Sequence, residues 1–418
     1  MYLTKDEERM LSGEDDYVAM RCMEWLVKYG DAAGAERMVD IDGTVNAPIS
    51  GTRGLSELKI DFSGPEMRNR KVKVYTHSGQ VGTPIDGWED IKFPPWNDPD
   101  HHKAFIDSWK PMIRAGVHPT CSCTYYLIST LNPTVGQHCA WGESSAMPWC
   151  NAILGARTNY DGCFQAAYTG KIPMYGMHLE ENRIGTHMIR IETKLDDPMD
   201  YDLLGFYVGG AVGHDVPVFT GLGKPSWNDI IKMNGALNTT GAIHMYHIPG
   251  LTPEARTVED AFNGDKPDET VTVTRDELRE AYDALNYGDD ENVDFVFLGC
   301  PHLTLDQVRE VAWMLEGKRC TANLWVMTNP WTFKQAEMMG YRDTIKRAGG
   351  VLLSGTCPGL MHCLPPNTDV MATNSAKQGY YLHGLVYPKG LGTWYGTTED
   401  CIDAAITGKW DGKWMEGN

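Results

Sequence analysis

The stretch Val293-Asp294-Phe295-Val296-Phe297-Leu298-Gly299-Cys300, together with the segment after it up to Leu353, indicates the architecture of this chain. The short, largely apolar run Val293–Leu298 is typical of a buried strand. Thr304 and Gln307 have the spacing of a capping box, in which each side chain satisfies a backbone donor of the other, and so predict the start of a helix. Further strands are predicted over Asn323–Met327 and Val351–Leu353. Strands that alternate with helices through short loops favour a parallel sheet covered on both faces.

The remainder of the chain predicts two further α/β lobes. With 418 residues the chain is too long for one ordinary core. We expect a first lobe over residues 1–135, a middle lobe over 136–288 and a C-terminal βαβ lobe over 289–418, which can interleave. Three more capping boxes predict helix starts at Thr4 with Glu7, Thr274 with Glu277 and Thr332 with Gln335.

The bulk composition narrows the class of protein. A content of 42% hydrophobic and 22% charged residues is that of a soluble globular protein. The formal net charge of −19 argues against nucleic acid or an anionic membrane as partner, because both need clustered Lys and Arg. Charges begin within the first eight residues, so we expect no secretory signal, and no apolar run is long enough to span a membrane. Eleven cysteines without such a signal predict reduced thiols in the cytoplasm.

Three widely separated cysteines occupy similar positions after predicted strands. Cys300 and Cys357 follow the apolar runs that end at Leu298 and Leu353, and Cys123 ends an extended segment after Pro119. Ligands in open α/β sheets bind beyond the carboxyl ends of the strands. We therefore expect these thiols to meet in space and to bind a metal centre.

The alternative is that these cysteines are small core residues, since free cysteine is among the most buried residue types. They have no Cys-x-x-Cys partner, so a local zinc knuckle is not predicted. Cys121 and Cys363, which are close in sequence to Cys123 and Cys357, are expected to be structural.

Around these cysteines the sequence resembles the aconitase X family, in its large-subunit or catalytic-domain form. The resemblance covers essentially the whole chain. The matching stretches are GVHPTCSCTYYL around Cys123, HCAWGESSA and NAILGARTN after it, FLGCPHLTLDQV around Cys300, GTCPGLMHC at Cys357 and ATNSAKQGYY after that.

The resemblance implies an aconitase-like, multi-lobed α/β fold with mostly parallel sheets that lacks the swivelling domain. It further implies a heterodimer in which a separate small swivel-domain subunit closes the site. Cys123, Cys300 and Cys357 are expected to hold an iron–sulfur cluster, which could be 4Fe-4S, 3Fe-4S or 2Fe-2S. The family's activities are dehydrations, and we expect an iron–sulfur hydro-lyase that acts on a small anionic hydroxy carboxylate.

Removal of water beside a carboxylate needs a Lewis acid, an anchor for the carboxylate and a base. We expect the base on the partner subunit. An anchoring role suits Arg157, Asn159 and Lys377, while ordinary surface or turn roles are the alternative. The other predicted substrate-binding residues are Ser50, Arg53, Glu143, Ser144, Ser145, His302, Asn374 and Ser375.

Several functions stay open on the sequence alone. The lead substrate is cis-3-hydroxy-L-proline, and mevalonate 5-phosphate is the alternative within the family. A zinc-dependent or thiol hydrolase and a non-catalytic scaffold are alternatives from other classes. The glycine-rich stretch Gly209–Gly213 lacks the spacing of a dinucleotide-binding loop, so we expect it to serve packing.

Overall fold

The computed structural model describes residues 1–14, 16–47, 58, 60, 67, 70–386 and 390–412. The helices are Lys5–Ser12 (α1), Tyr17–Ala32 (α2), Pro99–Ser108 (α3), Lys110–Ala115 (α4), Ala146–Pro148 (α5), Cys163–Thr169 (α6), Pro198–Val212 (α7), Trp227–Gly241 (α8), Val258–Ala261 (α9), Arg275–Leu285 (α10), Leu305–Met314 (α11), Pro330–Met338 (α12), Tyr341–Arg347 (α13), Pro358–Met361 (α14), Ala376–Tyr381 (α15) and Thr398–Thr407 (α16). The strands are Met38–Asp40 (β1), Val45–Ala47 (β2), Thr76–Ser78 (β3), Val117–His118 (β4), Ala140–Trp141 (β5), Lys171–Pro173 (β6), His187–Ile191 (β7), Pro217–Thr220 (β8), Glu269–Val273 (β9), Phe295–Leu303 (β10), Asn323–Thr328 (β11), Val351–Ser354 (β12), Val370–Thr373 (β13) and Gly392–Tyr395 (β14).

The C-terminal third forms a five-stranded sheet in the order β12-β11-β10-β13-β14. All four of its strand pairs are parallel, and Val296 in the central strand pairs with Leu324 on one side and Ala372 on the other. Every residue of β10 is buried, which explains why its sequence is a continuous apolar run without polar alternation. The predicted strand–helix–strand pattern of this region is therefore confirmed.

Two smaller parallel sheets lie earlier in the chain. One has the order β4-β3-β2-β5 and the other the order β8-β7-β9. The two-stranded pair β1-β6 is antiparallel. The expected α/β class with mostly parallel sheets is thus confirmed, while the lobe boundaries after residues 135 and 288 stay a prediction.

The predicted helix starts are observed except at α12. Thr4 with Glu7, Thr274 with Glu277 and Thr304 with Gln307 all form capping boxes. The prediction at Thr332 was wrong, because Asn329 is the capping residue: its side chain accepts the Thr332 N–H at 2.8 Å, and Pro330 opens the helix.

Gly209 lies in a tight crossing of α7 and α8. A Cβ on Gly209 would come within 2.8 Å of the Leu237 carbonyl oxygen, and one on Gly241 would come within 2.4 Å of the Gly209 carbonyl oxygen. Only glycine lets the two backbones approach so closely. Across the part of the chain that the structure describes, no helix is both long and apolar enough to cross a membrane.

Candidate active site

Cys123, Cys300 and Cys357 lie in the wall of one cavity of about 620 Å³. Cys300 lies near the carboxyl end of β10, Cys357 follows β12 and Cys123 comes shortly after β4. The cavity is therefore bounded by carboxyl ends of strands from two parallel sheets. All three side chains are buried, with at most 7% of each residue exposed. The structure thus brings together the thiols that the sequence singled out.

Burial raises the pKa of all three thiols. The pKa of Cys357 rises to about 12, and the nearby Cys300 contributes to that rise. For Cys123, burial and the charges of Glu143 and Cys300 raise the pKa well above its ordinary value. The pKa of Cys300 is also raised by burial. Such thiols stay protonated until a cation takes their place, which is the behaviour of metal ligands that release protons on binding.

Lys377 supplies positive charge beside the thiols. Its Nζ donates a hydrogen bond to Ser144 Oγ and lies 3.6 Å from Glu143 Oε1. Burial alone would lower the pKa of Lys377, but the charge of Glu143, followed by that of Cys300, raises it overall. Lys377 is therefore a fixed cation in the cavity wall, able to bind an anionic group.

Asp202 fixes the start of the helix that carries Lys377. Its carboxylate accepts the Ala376 N–H at 2.8 Å and the Tyr395 hydroxyl at 3.1 Å. The Ser375 side chain caps the same helix by accepting the Gln378 N–H. A carboxylate at a helix N-terminus is favourable because it satisfies backbone donors there.

Among the predicted substrate-binding residues, Glu143, Ser144, Ser145 and Lys377 line the cavity with the cysteines. Glu143 to Ser145 follow β5, and Ser145 Oγ donates to the Cys123 carbonyl oxygen at 3.4 Å. His302 is buried behind the cysteines, where its backbone N–H donates to Cys123 Sγ at 3.3 Å.

Four other predicted residues lie apart from the described lining of this cavity: Arg157, Asn159, Asn374 and Ser375, which caps α15. Arg157 pairs with Glu180 at 2.6 Å, and the Asn159 amide bonds the backbone of Tyr175 and Met177. Asn374 donates to Thr398 and borders a separate cavity of about 120 Å³. Their substrate contacts stay predictions.

Ser50 and Arg53 lie outside the described residues. Their predicted role in substrate binding therefore stays a prediction as well.

The sequence reading missed several residues of the cavity wall. Gln80 follows β3, so the strand-end rule that found the cysteines could have found it. Gln378 follows Lys377 and had no separate signal. Other missed residues include Tyr160, His214, His244 and the segment from Asn238 to Ala242 at the end of α8.

The cysteines do not form a site for a single ion. Within the described ranges, no group of three or more His, Cys, Asp or Glu side chains is close enough together to hold one metal ion. A mononuclear zinc site needs all of its ligands at about 2.0–2.3 Å from one atom. In a cluster the cysteines are distributed over two or more irons, so that their sulfurs lie farther apart.

Three domain models of one family match consecutive parts of the chain. The aconitase X first domain matches residues 1–181, the second domain residues 185–283 and the third domain residues 293–407. A crystal structure of aconitase X from Thermococcus kodakaraensis in its holo-form superposes with a TM-score of 0.80 at 33% identity, and covers 97% of this chain and 100% of that one.

The curated relatives fall into two groups with different names. The phosphomevalonate dehydratase large subunit of Methanothermobacter thermautotrophicus is 36% identical over 92% of this chain and 94% of its own length. The protein of the same name from Methanocaldococcus jannaschii is 35% identical over 91% and 95%. The cis-3-hydroxy-L-proline dehydratase of Pseudomonas aeruginosa is 28% identical over 96% of this chain and 70% of its own length. The chain belongs to the aconitase X family, and it is a dehydratase, that is, a hydro-lyase.

Proposed function

We propose that this chain is the large subunit of a phosphomevalonate dehydratase, which removes water from mevalonate 5-phosphate. The proposal rests on the sequence identity to the two kinds of relative. Relatives with that name reach 36% and 35% identity, against 28% for relatives named cis-3-hydroxy-L-proline dehydratase. The sequence analysis put the two substrates in the reverse order. The hydrolase and scaffold alternatives lose their support, since both kinds of relative are dehydratases.

We infer the subunit arrangement from the same relatives. This chain spans 94% and 95% of two proteins named as large subunits, but 70% of the hydroxyproline enzyme. We therefore propose a separate small subunit that completes the cavity.

The cysteines fit an iron–sulfur cluster, whose nuclearity we leave at 4Fe-4S, 3Fe-4S or 2Fe-2S. Three protonated thiols in a buried cavity wall, two of them accepting N–H hydrogen bonds, form a donor set that suits a cluster better than a single ion. When bound there, such a cluster with an open iron position supplies a Lewis acid for the leaving hydroxyl group.

Lys377 and its neighbours would orient the substrate. The ammonium group, held by Glu143 and Ser144, can bind a carboxylate or phosphate oxygen. Because its surroundings raise the pKa of Lys377, the side chain holds its proton and is unsuited to act as the base. We propose that the small subunit supplies the group that accepts the α-proton.

The test is anaerobic co-expression with the small subunit, followed by assay of both candidate substrates. Mevalonate 5-phosphate should be dehydrated, whereas unphosphorylated mevalonate and cis-3-hydroxy-L-proline should not. Turnover of cis-3-hydroxy-L-proline alone would reject the proposed substrate and leave the family assignment intact.

A further inference from the structure

Gln378 places an amide group against one of the cysteines. Its Nε2 donates toward Cys300 Sγ at 3.5 Å, and the residue is buried with 3% exposed. The reverse orientation would set the lone pairs of Oε1 against an electron-rich sulfur, so the amino end faces Cys300. A Cβ on Gly359 would touch both ends of this amide at 3.5 Å and Cys357 Sγ at 3.9 Å. The glycine therefore leaves the space in which the amide lies between two cysteines.

His302 determines which way a second amide, that of Gln80, must point. The His302 ring is buried behind the cysteines. Its Nε2 lies 2.9 Å from the Thr356 carbonyl oxygen, which can only accept a hydrogen bond. Nε2 therefore bears a hydrogen, while Nδ1 lies 3.0 Å from the Ser122 hydroxyl.

The Gln80 amide lies between this ring and Cys357. One end is 2.9 Å from His302 Nε2, and the other is 3.9 Å from Cys357 Sγ. Because His302 Nε2 bears a hydrogen, the end that faces it must be the oxygen. The amino group of Gln80 then points to Cys357.

From this geometry we infer that Gln80 and Gln378 are positioning residues whose amide N–H groups hydrogen-bond the sulfurs of Cys357 and Cys300. With the His302 backbone N–H on Cys123, each of the three sulfurs has at least one N–H donor. The inference rests on the proposed function, since it takes these sulfurs to be the cluster ligands. An N–H donor stabilises negative charge on a ligating sulfur, so the two amides raise the reduction potential of a bound cluster.

The experiment compares Gln378→Met, Gln80→Met and the double variant with the wild type, each purified anaerobically with the small subunit. Methionine keeps a similar length and flexibility but has no donor. A redox titration followed by electron paramagnetic resonance should give a more negative potential for each variant, and the most negative one for the double variant. Gln335→Met, on an exposed position of α12, is the matched control and should keep the wild-type potential.

A second pair of variants tests the same amide donors in case the methionine variants do not retain the cluster. Gln378→Glu and Gln80→Glu keep the shape of the side chain, remove the donor and should release iron to a chelator faster than the wild type. Wild-type potential and wild-type iron release in loaded variants would overturn the inference. Absence of iron and sulfide from the wild-type complex would instead overturn the proposed function, so the two failures are distinguishable.

Discussion

Lys377 carries its charge in a place that would normally disfavour it. A partly buried ammonium group loses much of its hydration, and a close anion compensates for that loss. Glu143 is that anion, at 3.6 Å, and the Ser144 hydroxyl accepts a hydrogen bond. The pair leaves the ammonium group rigid and charged, which suits recognition of an anionic substrate.

Lys377→Met should reduce kcat/KM by about 10- to 100-fold, because a hydrogen bond to a charged group contributes roughly 1.5–3 kcal/mol. Steady-state kinetics of the reconstituted complex measures this. Lys318→Met, at an exposed position, is the matched control and should keep wild-type kinetics. An unchanged KM and kcat for Lys377→Met would show that the ammonium group does not touch the substrate.

Cys300→Ser should remove visible colour, acid-labile sulfide and dehydratase activity together, because the proposed cluster would lose one of its ligands. Iron and sulfide analysis with an absorption spectrum checks this result. Cys320→Ser, at a partly exposed thiol in the C-terminal third, is the control and should retain all three properties. A colourless but active Cys300→Ser protein would contradict the assignment of the ligands.

Among the secondary-structure elements, α7 and α8 pack so closely that neither Gly209 nor Gly241 leaves room for a side chain. Gly209 packs against the last turn of α8, and that turn from Asn238 to Ala242 lines the cavity. The neighbouring Gly210 is exposed and has nothing within 4 Å of the position of a Cβ. A side chain at Gly209 would therefore clash with α8, whereas one at the adjacent Gly210 would have free space.

Gly209→Ala should lower the free energy of unfolding by about 1–3 kcal/mol, because the methyl group forces two backbones apart. It should also lower activity, since the end of α8 moves with the helix. Gly210→Ala should instead raise stability, by up to about 1 kcal/mol, because alanine is the better helix former. Urea unfolding of the three proteins measures both effects, and equal destabilisation by the two variants would contradict the packing account.

Across the molecule as a whole, burial holds histidines neutral. The pKa of His77 and that of His178 are each lowered to about 3, first of all by burial. Neither ring nitrogen of His77 has a hydrogen-bond partner, and its ring packs against Tyr125 at 4.3 Å between centroids. In the unfolded chain, histidine titrates near pH 6.5.

Stability should therefore fall as the pH drops below 6.5, because the unfolded state then binds protons that the folded state does not. Each such histidine contributes a slope of about 1.4 kcal/mol per pH unit until the pH approaches the folded-state pKa. His77→Phe should remove its share of that slope, as urea unfolding at pH 7 and pH 5 would show. His362→Asn, at an exposed position, should leave the slope unchanged, and an unaltered slope in His77→Phe would contradict the prediction.

Secondary structure that depends on neighbouring residues was predictable from the sequence. The runs that became β10, β11 and β12, and the capping boxes at Thr4, Thr274 and Thr304, depend on residues within a few positions of one another. Thr332 shows the limit of that approach, because Asn329 and Pro330 provided a competing start for the same helix.

Patterns along the chain were enough to predict the parallel α/β class and to single out three cysteines that the fold brings into one cavity wall, because buried strands and the residues at their ends leave local signals. The other side chains that join those cysteines could be identified only in the folded molecule. Arg157 and Asn159 turn to Glu180 and to the backbone of Tyr175 and Met177, while Gln80 and Gln378 reach the sulfurs. The direction of a side chain depends on how separate sheets and helices pack, and that packing has no local pattern in the sequence.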